Sequence, residues 1–232
     1  LEMNGVNIDA YNRINHMILS DSIIVFIEAD IDDAFAALLD VCGKLQVGLL
    51  NREYPILLRG GIVRGSLFHE DDIIYGEGLT RAYLFENKLA KYPRIIFSGE
   101  TLRQGKENTK YMLPLIEGLR PLYSMDDDFF YYVDYHNFSR LYPIDAYSYY
   151  RSLDIFCETW LNKEIDLETR EKYIWLKKKN AIAKNTNQSI AEHFAKDQEA
   201  EIRERFEKYN AKYFETYNGP ILTKNDDEKS VP

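Results

Sequence analysis

The sequence predicts an α+β fold that continues into a helical appendage. Three observations lead to this prediction. Short apolar runs rich in β-branched and aromatic residues recur in the first 135 residues, stretches with helical periodicity separate them, and residues 145–216 contain neither glycine nor proline. A chain of 232 residues suits one large domain with such an appendage. We expect an α+β domain over residues 1–140, helices over 141–217 and a polar tail over 218–232.

Apolar periodicity predicts the first elements. Residues 8–19 place apolar side chains on one face, which is typical of a short amphipathic helix. Residues 20–22 interrupt it, and the β-branched run at 23–27 predicts a buried strand. Acidic residues then precede a long apolar face, which predicts a helix over 34–50.

The same patterns predict the rest of the first domain. Residues 56–63 are typical of a strong strand, and 68–75 of a hairpin whose turn lies near 70–72. A segment rich in Ala, Leu, Glu and Lys predicts a helix over 79–91, which ends before a proline. Further strands are predicted at 94–98 and 129–133.

Three periodic stretches predict the helical appendage, at residues 147–161, 167–185 and 189–217. The last stretch carries an apolar stripe that suits an ordinary packing face or a partner site. The stripe consists of Ile190, Phe194, Ile202, Phe206, Tyr209 and Tyr213.

Composition excludes several classes of function. With 29 basic and 38 acidic residues the formal net charge is −9, which argues against a protein whose main task is binding a nucleic-acid backbone. No apolar run approaches the 18 or so residues of a membrane span, and the start has no export signal, so we expect a cytoplasmic protein without a membrane partner. The two cysteines, Cys42 and Cys157, are predicted to be buried, reduced thiols.

Common catalytic motifs are missing from the sequence. The four histidines, at positions 16, 69, 136 and 193, form no pair at metal-ligand spacing, so each is interpreted as a surface or packed side chain. The sequence contains no dinucleotide-binding glycine motif, no P-loop and no nucleophile elbow.

Asp21 is the first candidate functional residue. It stands between two serines at the mouth of the apolar run, where an aspartate serves either as a cap or turn residue or as a ligand for a hard metal ion.

The second candidate region runs from Arg59 to Glu86. A glycine-bearing strand leads through the hairpin to a helix with a glycine-rich first turn, and such glycines allow backbone or a ligand to approach closely. The start of that helix offers unpaired N–H groups to a phosphate. Arg81 lies there, either as a phosphate contact or as a simple ion-pair partner of Glu77 one turn earlier.

The order of these segments resembles the catalytic domain of class III nucleotidyl cyclases. The segments follow one another in the order SDSIIVF, a helix, RGGIVRG, IIYGEGLTRAYLFEN and YPRIIF. Their residue patterns are similar to those of the bacterial pyrimidine cyclases of the Pycsar anti-phage system. The run KYIWL at residues 172–176 also resembles the sequence of those cyclases. The resemblance covers roughly residues 18–180, and its most specific part is residues 59–97.

The resemblance implies a ferredoxin-like core, a homodimer with composite sites, and two divalent cations, Mn²⁺ or Mg²⁺, held by two aspartates. Asp21 matches the aspartate of the hairpin that follows the first strand. The other aspartate, from a pattern like F-x-D-x-x-G-F, is not in this sequence. We expect that strand to be encoded upstream of this chain, with loss of catalytic function as the alternative.

The candidate helix departs from the purine cyclases of this family. Those enzymes use an Asn and an Arg four residues later to stabilise the transition state, and Thr80 and Leu84 occupy these positions here. Arg81 is therefore assigned charge stabilisation, with Thr80 as a catalytic hydrogen-bonding residue at the Asn position. Arg59 and Arg64 are candidates for binding substrate phosphates, or else are outward-facing strand residues.

The expected function is conversion of UTP to 3′,5′-cyclic UMP and diphosphate, as an anti-phage second messenger read by a separate effector protein. Two alternatives stay open. One is a cytidylate cyclase that makes cyclic CMP from CTP, and the other is a non-catalytic relative that binds nucleotide or dimerises.

Overall fold

A computed structural model describes residues 2–3, 6–52, 55–107, 122–138 and 146–186. This part of the chain is a mixture of helices and short strands, in agreement with the predicted class. The strands are β1 (Glu2–Met3), β2 (Val6–Asn7), β3 (Asn15–Leu19), β4 (Ser22–Phe26), β5 (Gly60–Gly61), β6 (Phe68–Glu70), β7 (Ile73–Tyr75), β8 (Ile95–Phe97), β9 (Tyr123–Met125) and β10 (Tyr131–Val133). The helices are α1 (Ile8–Asn12), α2 (Ala34–Leu50), α3 (Glu77–Leu84), α4 (Gly99–Glu107), α5 (Tyr135–Phe138), α6 (Ala146–Leu161) and α7 (Leu167–Thr186).

The largest sheet of the described chain has the strand order β5-β8-β10-β9. β5 runs parallel to β8, whereas β10 runs antiparallel to both β8 and β9. All three residues of β8 are buried, and the strand lies between β5 and β10 in the sheet. The pairs β1/β2, β3/β4 and β6/β7 form separate two-stranded sheets. A ferredoxin-like order of these strands stays a prediction.

The predicted helix over residues 8–19 is wrong beyond Asn12. Residues 15–19 are instead strand β3, which pairs with β4 from Asn15↔Phe26 to Leu19↔Ser22. Ser20, with a left-handed φ of 55°, helps to close a two-residue turn that makes this pairing available. A helix of about twelve residues is marginal in water, so a complete ladder of strand pairs can replace it. The predicted burial of the strand at 23–27 is also wrong, since Ile23 in β4 is 41% exposed.

Other predicted elements agree with the structure to different degrees. The helix over 34–50, the hairpin over 68–75 and both described appendage helices are confirmed. The predicted strand over 56–63 is paired only at β5. The predicted helix over 79–91 is α-helical to Leu84 and continues as a π-helix over Phe85–Leu89.

The main hydrophobic core joins the sheet to the appendage helices. Side chains from α2, β8 and β10 share one cluster with side chains from α6 and α7, so these helices are part of the same packed unit. Both cysteines are buried and free, as predicted. The predicted boundary near residue 140, the apolar stripe of 189–217 and the tail of 218–232 lie outside the described residues.

None of the described helices combines the length and the apolar character needed to cross a bilayer.

Candidate functional site

Asp21 lies at the exposed tip of the β3/β4 hairpin. With Ser20 it forms the two-residue turn of this hairpin. The open end of this hairpin contacts the next one, because the rings of Phe26 and His69 lie 4.9 Å apart. At 3.3 Å per residue, the tip is about 16 Å from Phe26 along the strand. Asp21 thus lies at the end of its hairpin opposite the Phe26–His69 contact.

Several glycines of the second candidate region lie in close contact with neighbouring segments of the chain, which leaves no room for a side chain. A Cβ added at Gly65 would lie 2.8 Å from the Cα of Gly78, and one at Gly61 would lie 2.3 Å from the Cβ of Phe85. Gly78 also donates its N–H to the carbonyl of Ser66 at 2.9 Å. Of the two interpretations that the sequence left open, the structure favours approach of backbone over approach of a ligand. One N–H at the start of α3 is therefore already paired.

Arg81 and Thr80 lie on the first turns of α3 with exposed side chains. Arg81 donates to Glu77 Oε1 at 3.4 Å and to the backbone oxygen of Arg64 at 3.2 Å. The first contact is the ion pair one turn apart that the sequence allowed, and at this exposure it adds little stability. Thr80 donates its hydroxyl to the carbonyl of Gly76 in its own helix, and not to Arg81. The contact to Arg64 orients the Arg81 guanidinium across the strand–helix junction.

Arg64 and Arg59 have different surroundings. Arg64 is exposed beside Arg81, and its side chain makes no hydrogen bond or ion pair within the described residues. Arg59 binds Glu86 at 2.7 Å and the carbonyl of Ala90 at 3.3 Å, at the far end of the helix. The structure therefore brings Arg81 to the backbone of Arg64, and it separates Arg59 from both. Arg59 serves to fasten the strand to the π-helix.

The described residues do not by themselves form the two-ion site that the resemblance implies. Asp21 offers one carboxylate, and within the described ranges no three His, Cys, Asp or Glu side chains are grouped to hold a metal ion. A divalent cation such as Mg²⁺ is usually held by one or two protein carboxylates together with substrate phosphates and water. Asp21 fits one such ligand position and no more.

Sequence reasoning missed a buried ionic cluster around Arg94. The Arg94 side chain is fully buried, and its guanidinium donates to Asp126 at 2.6 Å and also to Asp128. Trp175 donates to the same oxygen of Asp126 at 2.7 Å, and Lys179 donates to the other oxygen at 2.8 Å. Although burial raises the pKa of the Asp126 carboxyl, the hydrogen bonds from Lys179, Trp175 and the Asp127 backbone, together with the charge of Arg94, hold this pKa below its ordinary value.

Aromatic rings complete the cluster. The Arg94 guanidinium lies 5.3 Å from the ring of Tyr92 and 5.7 Å from that of Trp175, and these two rings stack with their planes 3° apart. Such cation–π contacts are favourable in a desolvated setting. The cluster fastens α7 to the loop before β10, which gives a structural role to the KYIWL run. In the sequence, only the acidic run at 126–128 indicated this cluster, because the side chains that bind these carboxylates are tens of residues away.

The chain matches no protein-family profile, no curated protein and no solved structure.

Proposed function

We propose that this protein is a pyrimidine nucleotide cyclase that converts UTP to 3′,5′-cyclic UMP and diphosphate. The observation that carries the proposal is the junction at which Arg81 donates to the backbone oxygen of Arg64, so that two exposed arginine residues are neighbours beside α3. In a chain with a net charge of −9, such a pair of cations suits a small polyanion. The order of sequence motifs supplies the identity of that polyanion.

The chemistry is an in-line displacement at phosphorus. The ribose 3′-oxygen attacks the α-phosphorus, the bond from that phosphorus to the bridging oxygen breaks, diphosphate leaves, and the hydroxyl proton passes to solvent. Negative charge grows on the leaving group, so a guanidinium held beside it accelerates the step. Arg81 takes this role, and Arg64 binds the outer phosphates. Mn²⁺ or Mg²⁺ enters the proposal through the resemblance alone, with Asp21 as its one ligand from this chain.

A homodimer explains why the candidate residues are apart. Within the described residues, no hydrogen bond or ion pair joins Asp21 to Arg64, Thr80 or Arg81. A composite site places Asp21 of one protomer opposite Arg81 of the partner subunit, so that contact within one protomer is not required. The product would act on a separate effector in the cytoplasm.

The direct test is incubation of the protein with Mn²⁺ and each of the four ribonucleoside triphosphates, with cyclic products identified by mass spectrometry. We expect cyclic UMP as the main product. Cyclic CMP as the main product would instead support the cytidylate alternative. If no triphosphate is cyclised by a chain that includes any upstream segment of its gene, the proposal is refuted.

Arg81→Gln tests the role of the cation in that assay. We expect a loss of about 10²-fold in the turnover rate, the usual effect of removing one stabilising donor. The matched control is Arg103→Gln, which removes another exposed arginine in ion pairs with glutamates one turn away. Equal rates for the two variants would show that Arg81 is only a surface ion-pair residue.

Asp21→Asn tests the metal ligand, and the structure offers a close control. Asp72 is likewise the second residue of a two-residue hairpin turn and is likewise exposed. We expect Asp21→Asn to abolish Mn²⁺-dependent turnover, whereas Asp72→Asn retains it. Retention of both activity and Mn²⁺ dependence by Asp21→Asn would refute the assignment.

A second candidate function is a non-catalytic module that binds nucleotide or dimerises. The lack of a grouped metal site within the described residues favours it. It predicts that UTP binds without turnover, and that Asp21→Asn leaves this binding unchanged.

A further inference from the structure

Two aromatic side chains are exposed on the short β6/β7 hairpin. Phe68 and Tyr75 are register partners at its open end, and their rings stack with centroids 4.8 Å apart. The Phe68 residue is 42% exposed and the Tyr75 residue is 57% exposed. A cross-strand aromatic pair stabilises a hairpin by less than about 1 kcal/mol. This stabilisation does not explain why both rings are exposed to water.

The ring pair lies next to the junction that holds the two arginines. Tyr75 is followed by Gly76, which packs so closely on the preceding loop that a Cβ there would lie 2.4 Å from the carbonyl oxygen of Ser66. This contact keeps the open end of the hairpin against the residues that lead to Arg64 and Arg81. Phe68 is four residues from Arg64, so their Cα atoms are no more than about 14 Å apart.

This juxtaposition combines the two chemistries that a nucleotide needs. Every nucleobase has a π-face that stacks on an aromatic ring, whereas its phosphates need positive charge. Exposed rings in a hairpin that adjoins the segment of two exposed arginine residues match both ends of one molecule. The acidic residues of the hairpin, Asp71 and Asp72, lie at its turn, away from the ring pair.

We propose that the exposed face of the Phe68–Tyr75 ring pair stacks on the base of a pyrimidine nucleotide whose phosphates contact Arg64 and Arg81. The choice of a pyrimidine rests on the proposed function. Stacking does not discriminate uracil from cytosine, so the ring pair supplies affinity for the base, and selection between the two pyrimidines comes from other groups.

The test measures binding directly, apart from turnover. Uridine monophosphate and inorganic tripolyphosphate are titrated by calorimetry into the wild type and into Phe68→Leu and Tyr75→Leu. We expect each substitution to weaken uridine monophosphate about tenfold and to leave tripolyphosphate within about twofold, because only the nucleotide carries a base. Arg64→Gln should weaken both probes.

Phe129→Leu is the matched control, because Phe129 is 80% exposed in a turn of another sheet. We expect this variant to bind uridine monophosphate as the wild type does. Phe68→Trp gives a readout that does not depend on removing a ring: bound uridine monophosphate should quench its added fluorescence relative to the wild type, which holds two tryptophans.

Several results would overturn the proposal. One is unchanged affinity for uridine monophosphate in both leucine variants, and another is no binding of it by the wild type. A third is that the leucine variants lose self-association in sedimentation but keep their affinity for the nucleotide. That result would show that the hairpin binds a second copy of this chain. Cyclisation with unchanged binding in the variants would refute the ring platform alone. Ring-dependent binding without cyclisation by any form of the protein would refute the cyclase alone.

Discussion

Replacing Asp126 with asparagine should destabilise the protein strongly. All four groups that bind the carboxylate are donors: Arg94 and Trp175 on one oxygen, and Lys179 and the backbone N–H of Asp127 on the other. An asparagine keeps one oxygen and turns an NH₂ group toward the other pair of donors. Breaking a buried ion pair by removing one partner costs about 3–5 kcal/mol. For a domain of this size that corresponds to a melting temperature lower by about 6–20 °C.

The neighbouring aspartate provides the control. Asp127 is 88% exposed and binds Lys178 at 3.2 Å, so Asp127→Asn should change the free energy of unfolding by less than about 1 kcal/mol. Urea unfolding followed by tryptophan fluorescence and by far-UV circular dichroism measures both variants. Equal losses in the free energy of unfolding for the two variants would show that the cluster adds no more stability than a surface ion pair.

Three further predictions concern buried groups and glycines. Burial, together with the charge of a nearby lysine, lowers the pKa of His136 to about 3. The unfolded chain therefore binds a proton near pH 6.5 and the folded chain does not, so the free energy of unfolding should fall by about 1.6 kcal/mol from pH 6.5 to pH 5, and His136→Phe should lack this fall. Gly76→Ala, at a φ of 147°, should cost at least about 2 kcal/mol in thermal unfolding, whereas Gly48→Ala, with open space around its Cβ, should stabilise α2 by about 0.5–1 kcal/mol. Burial raises the pKa of the Cys42 thiol to about 12 and that of Cys157 still higher, so a thiol reagent should label both only after unfolding; rapid labelling at pH 8 would contradict their burial.

Elements with long, consistent patterns were predictable from the sequence. The apolar face of α2 and the turn of the β6/β7 hairpin agree with the structure, because local periodicity and turn residues act within about ten residues. The segment 15–19 was not predictable in this way. Its apolar spacing also fits a helix, and only pairing with residues 22–26 makes it a strand.

The candidate site was predictable in part. Sequence order singled out Asp21, Arg64 and Arg81, and the structure places the latter two together. The sequence could not show that Arg59 binds Glu86 and lies apart from Arg81, because Glu86 is 27 residues away from Arg59. The exposed ring pair was also missed, since the hairpin pattern alone does not tell which of its residues face solvent.

By itself the sequence determined the acidic charge, the α+β class, the two long appendage helices and the order of the motifs, because each of these follows from composition or from local periodicity. Only the tertiary structure decided that Arg94 is buried among carboxylates from residues 126 and 128 and rings from residues 92 and 175. It likewise decided that the glycines at 65 and 78 are used in mutual contact. Packing selects such partners across tens of residues, and no local pattern carries that choice.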